Sequence, residues 1–125
     1  METVMSTSKS NNDFIDAFIE SIQTEGQSLD ELPGSYGEFG LVATNPVPTF
    51  SVIGSGQYLE QLRTLDGQPI KFKRVGSRVA ENFPDTPVDK YRIESASGEE
   101  LPDVYLCMYH KQNSTKAPTG FYLAP

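Results

Sequence analysis

Apolar residues recur with a helical period near the start of this chain. Phe14, Ile15, Phe18, Ile19 and Ile22 fall at i, i+1, i+4, i+5 and i+8, which predicts an amphipathic helix over about Asn12 to Thr24. Asn11 or Asn12 supplies an N-cap, Asp13 and Asp16 complement the positive end of the helix dipole, and Gly26 offers a stop. The opposite face carries Asp13, Asp16, Glu20 and Gln23. After Gly40 the apolar runs shorten and the period drops toward two. Leu41 to Thr44 and Thr49 to Ile53 read as short strands separated by Asn45-Pro46-Val47-Pro48, because two prolines so close cannot occupy a central strand. Tyr58, Leu59 and Leu62 have helical spacing, so Gln57 to Arg63 reads either as a short helix or as the approach to a strand near Gln61.

The second half of the chain reads as strands and turns. Asp66-Gly67 is the strongest hairpin signal, and Ile70 and Phe72 then alternate with Lys71 and Lys73 to predict a strand with one wet, basic face. Pro69 puts the start of that strand at an edge or bulge. Val75 to Pro87 reads mostly as connection, punctuated by Gly76, Pro84 and Pro87. Val88 to Ser95 predicts a strand with Tyr91 and Ile93 inward and Lys90, Arg92 and Glu94 outward, followed by a turn at Ser97-Gly98. Asp103 to His110 is the most apolar run, with both alternating sets apolar, so it predicts a central strand covered on two faces. Phe121 to Leu123 predicts a closing strand. The sum is an α+β fold: the N-terminal helix packed on a mostly antiparallel sheet of about five short strands. Residues 1–11 form a polar lead and residues 12–125 a single domain.

Charge changes the picture because it is so unevenly placed. The first forty residues hold eight acids against Lys9 alone, which is the whole formal charge of −7, and the remainder is balanced. An acidic region beside a neutral body steers the chain toward a basic partner and repels phosphates. Asp13, Asp16, Glu20, Asp30 and Glu31 are the candidate steering charges, with Tyr36, Phe39 and Tyr58 as candidate aromatic anchors. A homodimer is allowed by a free strand edge but not required. No apolar run is long enough to span a membrane, and no secretory leader pattern opens the chain, which sets a cytoplasmic expectation.

Candidate chemistry is sparse. Cys107 is the single cysteine and reads as a small core residue; on a strand it points away from His110, three positions on. His110 is the single histidine. With Lys73 or Arg74 stabilising charge it could serve as general acid or base on a phosphodiester, the alternative to a binding role. Glu81, Asp85 and Asp89 form an acidic group without metal-site spacing, so no metal or other cofactor is expected. The basic stretch Lys71-Phe72-Lys73-Arg74, with Arg78, reads as the wet face of a hairpin, or equally as a partner for the acidic N-terminal third of the same chain, rather than as a nucleic-acid surface, given the acidic balance of the chain.

Three segments carry a resemblance: Gly40-Leu41 through Asn45-Pro46-Val47-Pro48; Tyr58-Leu59, Leu62-Arg63-Thr64 and Asp66-Gly67 leading to Arg74-Val75-Gly76-Ser77; and Tyr105 to His110 with Ala117-Pro118-Thr119-Gly120-Phe121. Together they resemble a group of small, uncharacterised bacterial proteins from Gly40 to the C-terminus, with no activity or site residues to carry over. In size and charge the chain also looks like immunity proteins, which bind and block a toxin domain, often a basic nuclease. That likeness implies an inhibitor-type binding domain.

Overall fold

The computed structural model describes residues 30–125. The expected helix over Asn12 to Thr24, and with it Asp13, Asp16 and Glu20, lies outside the described residues. The described part is α+β, with six strands and one helix: β1 (Val47–Pro48), α1 (Ser51–Gln61), β2 (Leu62–Thr64), β3 (Ile70–Ala80), β4 (Phe83–Ser95), β5 (Glu100–Cys107) and β6 (Phe121–Leu123). Four strands form one sheet in the order β1-β5-β4-β3, and β2 pairs with β6 in a second. All pairings are antiparallel except the short β1–β5 contact.

The helix that covers the sheet is α1, in mid-chain. Its buried stripe, Ser55, Tyr58 and Leu59, continues into Leu62 and meets Tyr91 and Ile93 of β4 and Val104 and Leu106 of β5. Val47, Phe39 and Phe121 complete this core. Alternation along β4 is as expected, with Tyr91 and Ile93 buried and Arg92 exposed. β5 is central between β1 and β4, as its apolarity predicts, though it runs from Glu100 to Cys107, so Met108 to His110 lie beyond its end.

Three expectations are corrected. Leu41 to Thr44 is a chain of turns, because Leu41 N–H bonds to Glu38 O and Asn45 N–H to Val42 O instead of to a neighbouring strand. Thr49 to Ile53 is not a strand: helix α1 begins at Ser51 and runs through Gly54-Ser55-Gly56. Val75 to Pro87 is not a connection but the two arms of a long hairpin, turning at Glu81-Asn82. Pro84 and Pro87 are tolerated there because residues 84–87 of β4 bulge out opposite the single residue Val79, where no ladder bond is needed. The Asp66-Gly67 turn does reverse the chain, with Gly67 N–H bonded to Thr64 O. Its incoming strand, however, pairs with β6, and the Arg63–Pro69 bridge and the Thr64 N–H to Gln68 O bond join it to the segment just before β3.

Residues 30–46 run as a connector across the fold. At one end Asp30 and Glu31 grip the loop after β5; at the other Asn82 Nδ2 donates to Gly34 O at 3.0 Å and Thr44 O at 2.7 Å at the hairpin tip. Midway, Tyr105 N–H donates to Gly40 O at 2.8 Å, which ties the connector to β5.

Candidate functional site

The residues singled out as a partner-binding set are placed by the fold in very different settings. Asp30 is a tether: its carboxylate accepts from Thr115 N–H at 2.6 Å and from Thr115 Oγ1 at 2.8 Å. Glu31 pairs with Lys116, which holds its carboxyl below the ordinary value against a smaller opposing effect of burial. Both acids are thus engaged inside the chain, Glu31 with a cation and Asp30 with the neutral donors of Thr115. Phe39 is buried beneath Lys116, whose Nζ lies 4.9 Å from the ring centre. Tyr58 is fully buried in the core, and its hydroxyl donates to Lys116 O at 2.6 Å. Neither ring is offered to a partner, since both are needed to fill the space under the connector. Tyr36 alone of the three aromatics is exposed, with its hydroxyl donating to Glu81.

Beside singly exposed residues such as Leu65, Val79 and Tyr122, four exposed apolar residues fall at the corner where β1 turns into α1. Phe50 is 56% exposed, Val52 65%, Ile53 73%, and Tyr109, which bridges to Phe50, 46%. Leaving four large apolar side chains in water on two bridged segments forgoes burial on the order of 1.5–3 kcal/mol each. The corner is held firmly. Ser51 N–H donates to Met108 O at 2.9 Å, and His110 N–H to Thr49 O at 3.0 Å. Asn113 clamps both sides of the turn, accepting from Phe50 N–H at 2.8 Å and donating to Gly54 O at 2.8 Å. A Cβ at Gly54 would lie 2.6 Å from Asn113 Oδ1, so the glycine is what admits the clamp. Ser51 sits at φ +65°, a left-handed conformation that costs a serine roughly 1–3 kcal/mol and persists only because these bonds fix it. Sequence reasoning missed this corner because Thr49 to Ile53 reads as a short strand; the signal was that Ile53 falls off the 55-58-59-62 stripe.

The residues of the acid–base alternative come from separate elements, Lys73 and Arg74 from β3 and His110 from the segment after β5. His110 sits half-buried behind the corner, and burial alone pushes its imidazole below the ordinary 6.5, with no contribution from a cation. Lys73 and Arg74 lie on β3, and Arg74 is engaged with the buried carboxylate of Asp89 at 3.3 Å. Burial pushes the Cys107 thiol up, away from the nucleophilic thiolate. Among the described residues there is no group of His, Cys, Asp and Glu able to hold a metal ion.

The setting of His110 yields a pH dependence. The unfolded chain takes up the proton near the ordinary value, while the folded chain resists it until lower pH. In that window the unfolded state binds more protons, so stability falls as pH drops from about 7 to about 5 and is flat above it for this residue. Urea unfolding at the two pH values should show the drop in the parent and a smaller one in His110→Asn. Glu31, whose carboxyl titrates below its ordinary 4.5, acts only at lower pH.

No protein-family model, no curated protein and no solved structure matches this chain. Among the described residues, no helix is long and apolar enough to cross a membrane.

Proposed function

We propose that this chain is a protein-binding domain of the inhibitor or immunity type. It docks through the Phe50–Val52–Ile53–Tyr109 corner, and the acidic first third steers it toward a basic partner. The observation that carries the reading is the corner itself: four exposed apolar side chains on a backbone locked by Asn113. Anchors of this kind, held in advance of contact, spare a complex the entropy of ordering them. The partner this surface fits presents an apolar pocket or groove with a basic rim. Steering belongs to the approach, so it acts on the association rate and weakens with salt, whereas the corner governs how long the complex lasts.

The test is capture from native lysate at low salt, with the parent chain and Ile53→Asp side by side. The parent should retain one stoichiometric basic protein, and the variant should bind it about thirtyfold more weakly, the scale of losing a hot-spot anchor. Ile53 is the most exposed of the four and lies in the first turn of α1, where an aspartate suits the helix dipole. The variant should therefore melt as the parent does. Equal retention by both chains would remove the corner from the interface.

A further inference from the structure

The outer edge of β3 offers a second kind of contact. The four-stranded sheet ends at β3, and over residues 70–80 its backbone is bonded to β4 alone among the described residues. Such an edge is a row of open donors and acceptors. It carries Lys71, Lys73, Arg74 and Arg78 and no acid, with Val75 and Val79 exposed beside them.

Cross-strand neighbours set these charges apart. Arg74 holds Asp89, and Lys71 stands opposite the acid Glu94, without an ion pair between them. Lys73 stands directly opposite Arg92 on the solvent face, both are exposed, and neither forms an ion pair among the described residues. Like charges directly opposite on a sheet are unfavourable, and an anion beside them relieves the repulsion. Arg78 lies opposite Val88 and is likewise exposed and unpaired among the described residues.

We propose that β3 accepts an extended acidic segment of a partner protein as a fifth strand of this sheet, with its carboxylates set against Lys73 and Arg78. Main-chain bonds along the open edge supply affinity, and the alternating charges supply register and selectivity. A second copy of this chain fits poorly, because pairing β3 with itself would set basic side chains against basic side chains. Single-stranded nucleic acid is also disfavoured. The one aromatic ring on the strand, Phe72, packs edge-on against Tyr91 at 6.3 Å instead of offering a face for stacking.

The probe is a labelled peptide of alternating valine and glutamate, about eight residues long, titrated into the full chain and followed by fluorescence anisotropy. Saturable binding is expected below about 1 mM, and at least about fivefold weaker binding for a peptide N-methylated at every residue, which has no backbone donor on either edge. A lysine-for-glutamate peptide should not bind. Lys73→Glu should weaken the acidic peptide by at least about fivefold, yet melt no lower than the parent, since the new carboxylate faces Arg92. Ile53→Asp should bind the peptide as the parent does, which separates this edge from the apolar corner. The proposal is overturned if the acidic peptide does not saturate, if N-methylation leaves its affinity unchanged, or if oligothymidine binds the edge more tightly than the peptide. Self-association that Lys73→Glu abolishes would also overturn it, in favour of a second copy.

Discussion

Tyr58→Ala is expected to cost about 3–5 kcal/mol, enough to bring a domain of ordinary stability close to unfolding. The ring is fully buried and belongs to the same core as Leu59, Ile93 and Leu106, so truncation leaves a cavity that the sheet on one side and the connector on the other cannot collapse to fill. Its hydroxyl does a second job, donating to Lys116 O at 2.6 Å and so joining α1 to the loop that Asp30 and Glu31 also hold. Tyr58→Phe keeps the ring and loses only that bond, for about 1 kcal/mol. Burial also holds the hydroxyl protonated well beyond the ordinary tyrosine range. Urea unfolding of the three chains with an unchanged slope is the measurement. A Tyr58→Ala cost below that expected for Tyr58→Phe would mean that the ring is not part of the core.

Gly40→Ala should be nearly as damaging, at roughly 2–4 kcal/mol, for two reasons that a control can separate. At φ +75° Gly40 is in a conformation that side chains rarely adopt, and a Cβ there would lie 2.7 Å from Pro118 Cγ and 3.0 Å from Val47 Cγ2. Both obstacles belong to buried residues, and Gly40 O is the acceptor that anchors the connector to Tyr105. Gly120 has φ +95° with open space where a Cβ would stand, so Gly120→Ala meets the conformational cost alone, about 1 kcal/mol. The two alanine variants, compared by thermal and urea unfolding, should differ by the price of the collision. Equal effects would show that the Pro118–Val47 contact yields without resistance.

The legible parts of the fold are those where local chemistry and tertiary demand agree. Ser97-Gly98 turns the chain, Tyr91 and Ile93 point inward, and Phe121 to Leu123 closes a small sheet, each from nearest-neighbour pattern alone. Prolines and glycines misled where distant partners rewrote their meaning. Pro84 and Pro87 signal connection unless the opposing strand permits a bulge, and Gly54 and Gly56 signal a break unless Asn113, far along the chain, folds back over the helix start. The candidate site was harder still. Phe39 and Tyr58 have the composition of interface anchors, but the same chemistry fills cores, and only the path of the connector decides between the two. Asp30 and Glu31 contribute to the acidic balance, yet their partners Thr115 and Lys116 lie 85 residues away, beyond any local reading.

That long reach has a consequence for the order in which the chain folds. β3, β4 and β5 are consecutive and joined by tight turns, so this meander closes at small entropic cost. The Asp30–Thr115 contact must close almost the entire described chain, and it is of use only once the loop after β5 has been positioned. A contact of this kind is expected to form after the rate-limiting step, and Asp30→Ala should then quicken unfolding and leave the folding rate nearly untouched in stopped-flow measurements. The connector is therefore a latch on kinetic persistence: it adds little to how fast the domain is made and much to how long it lasts.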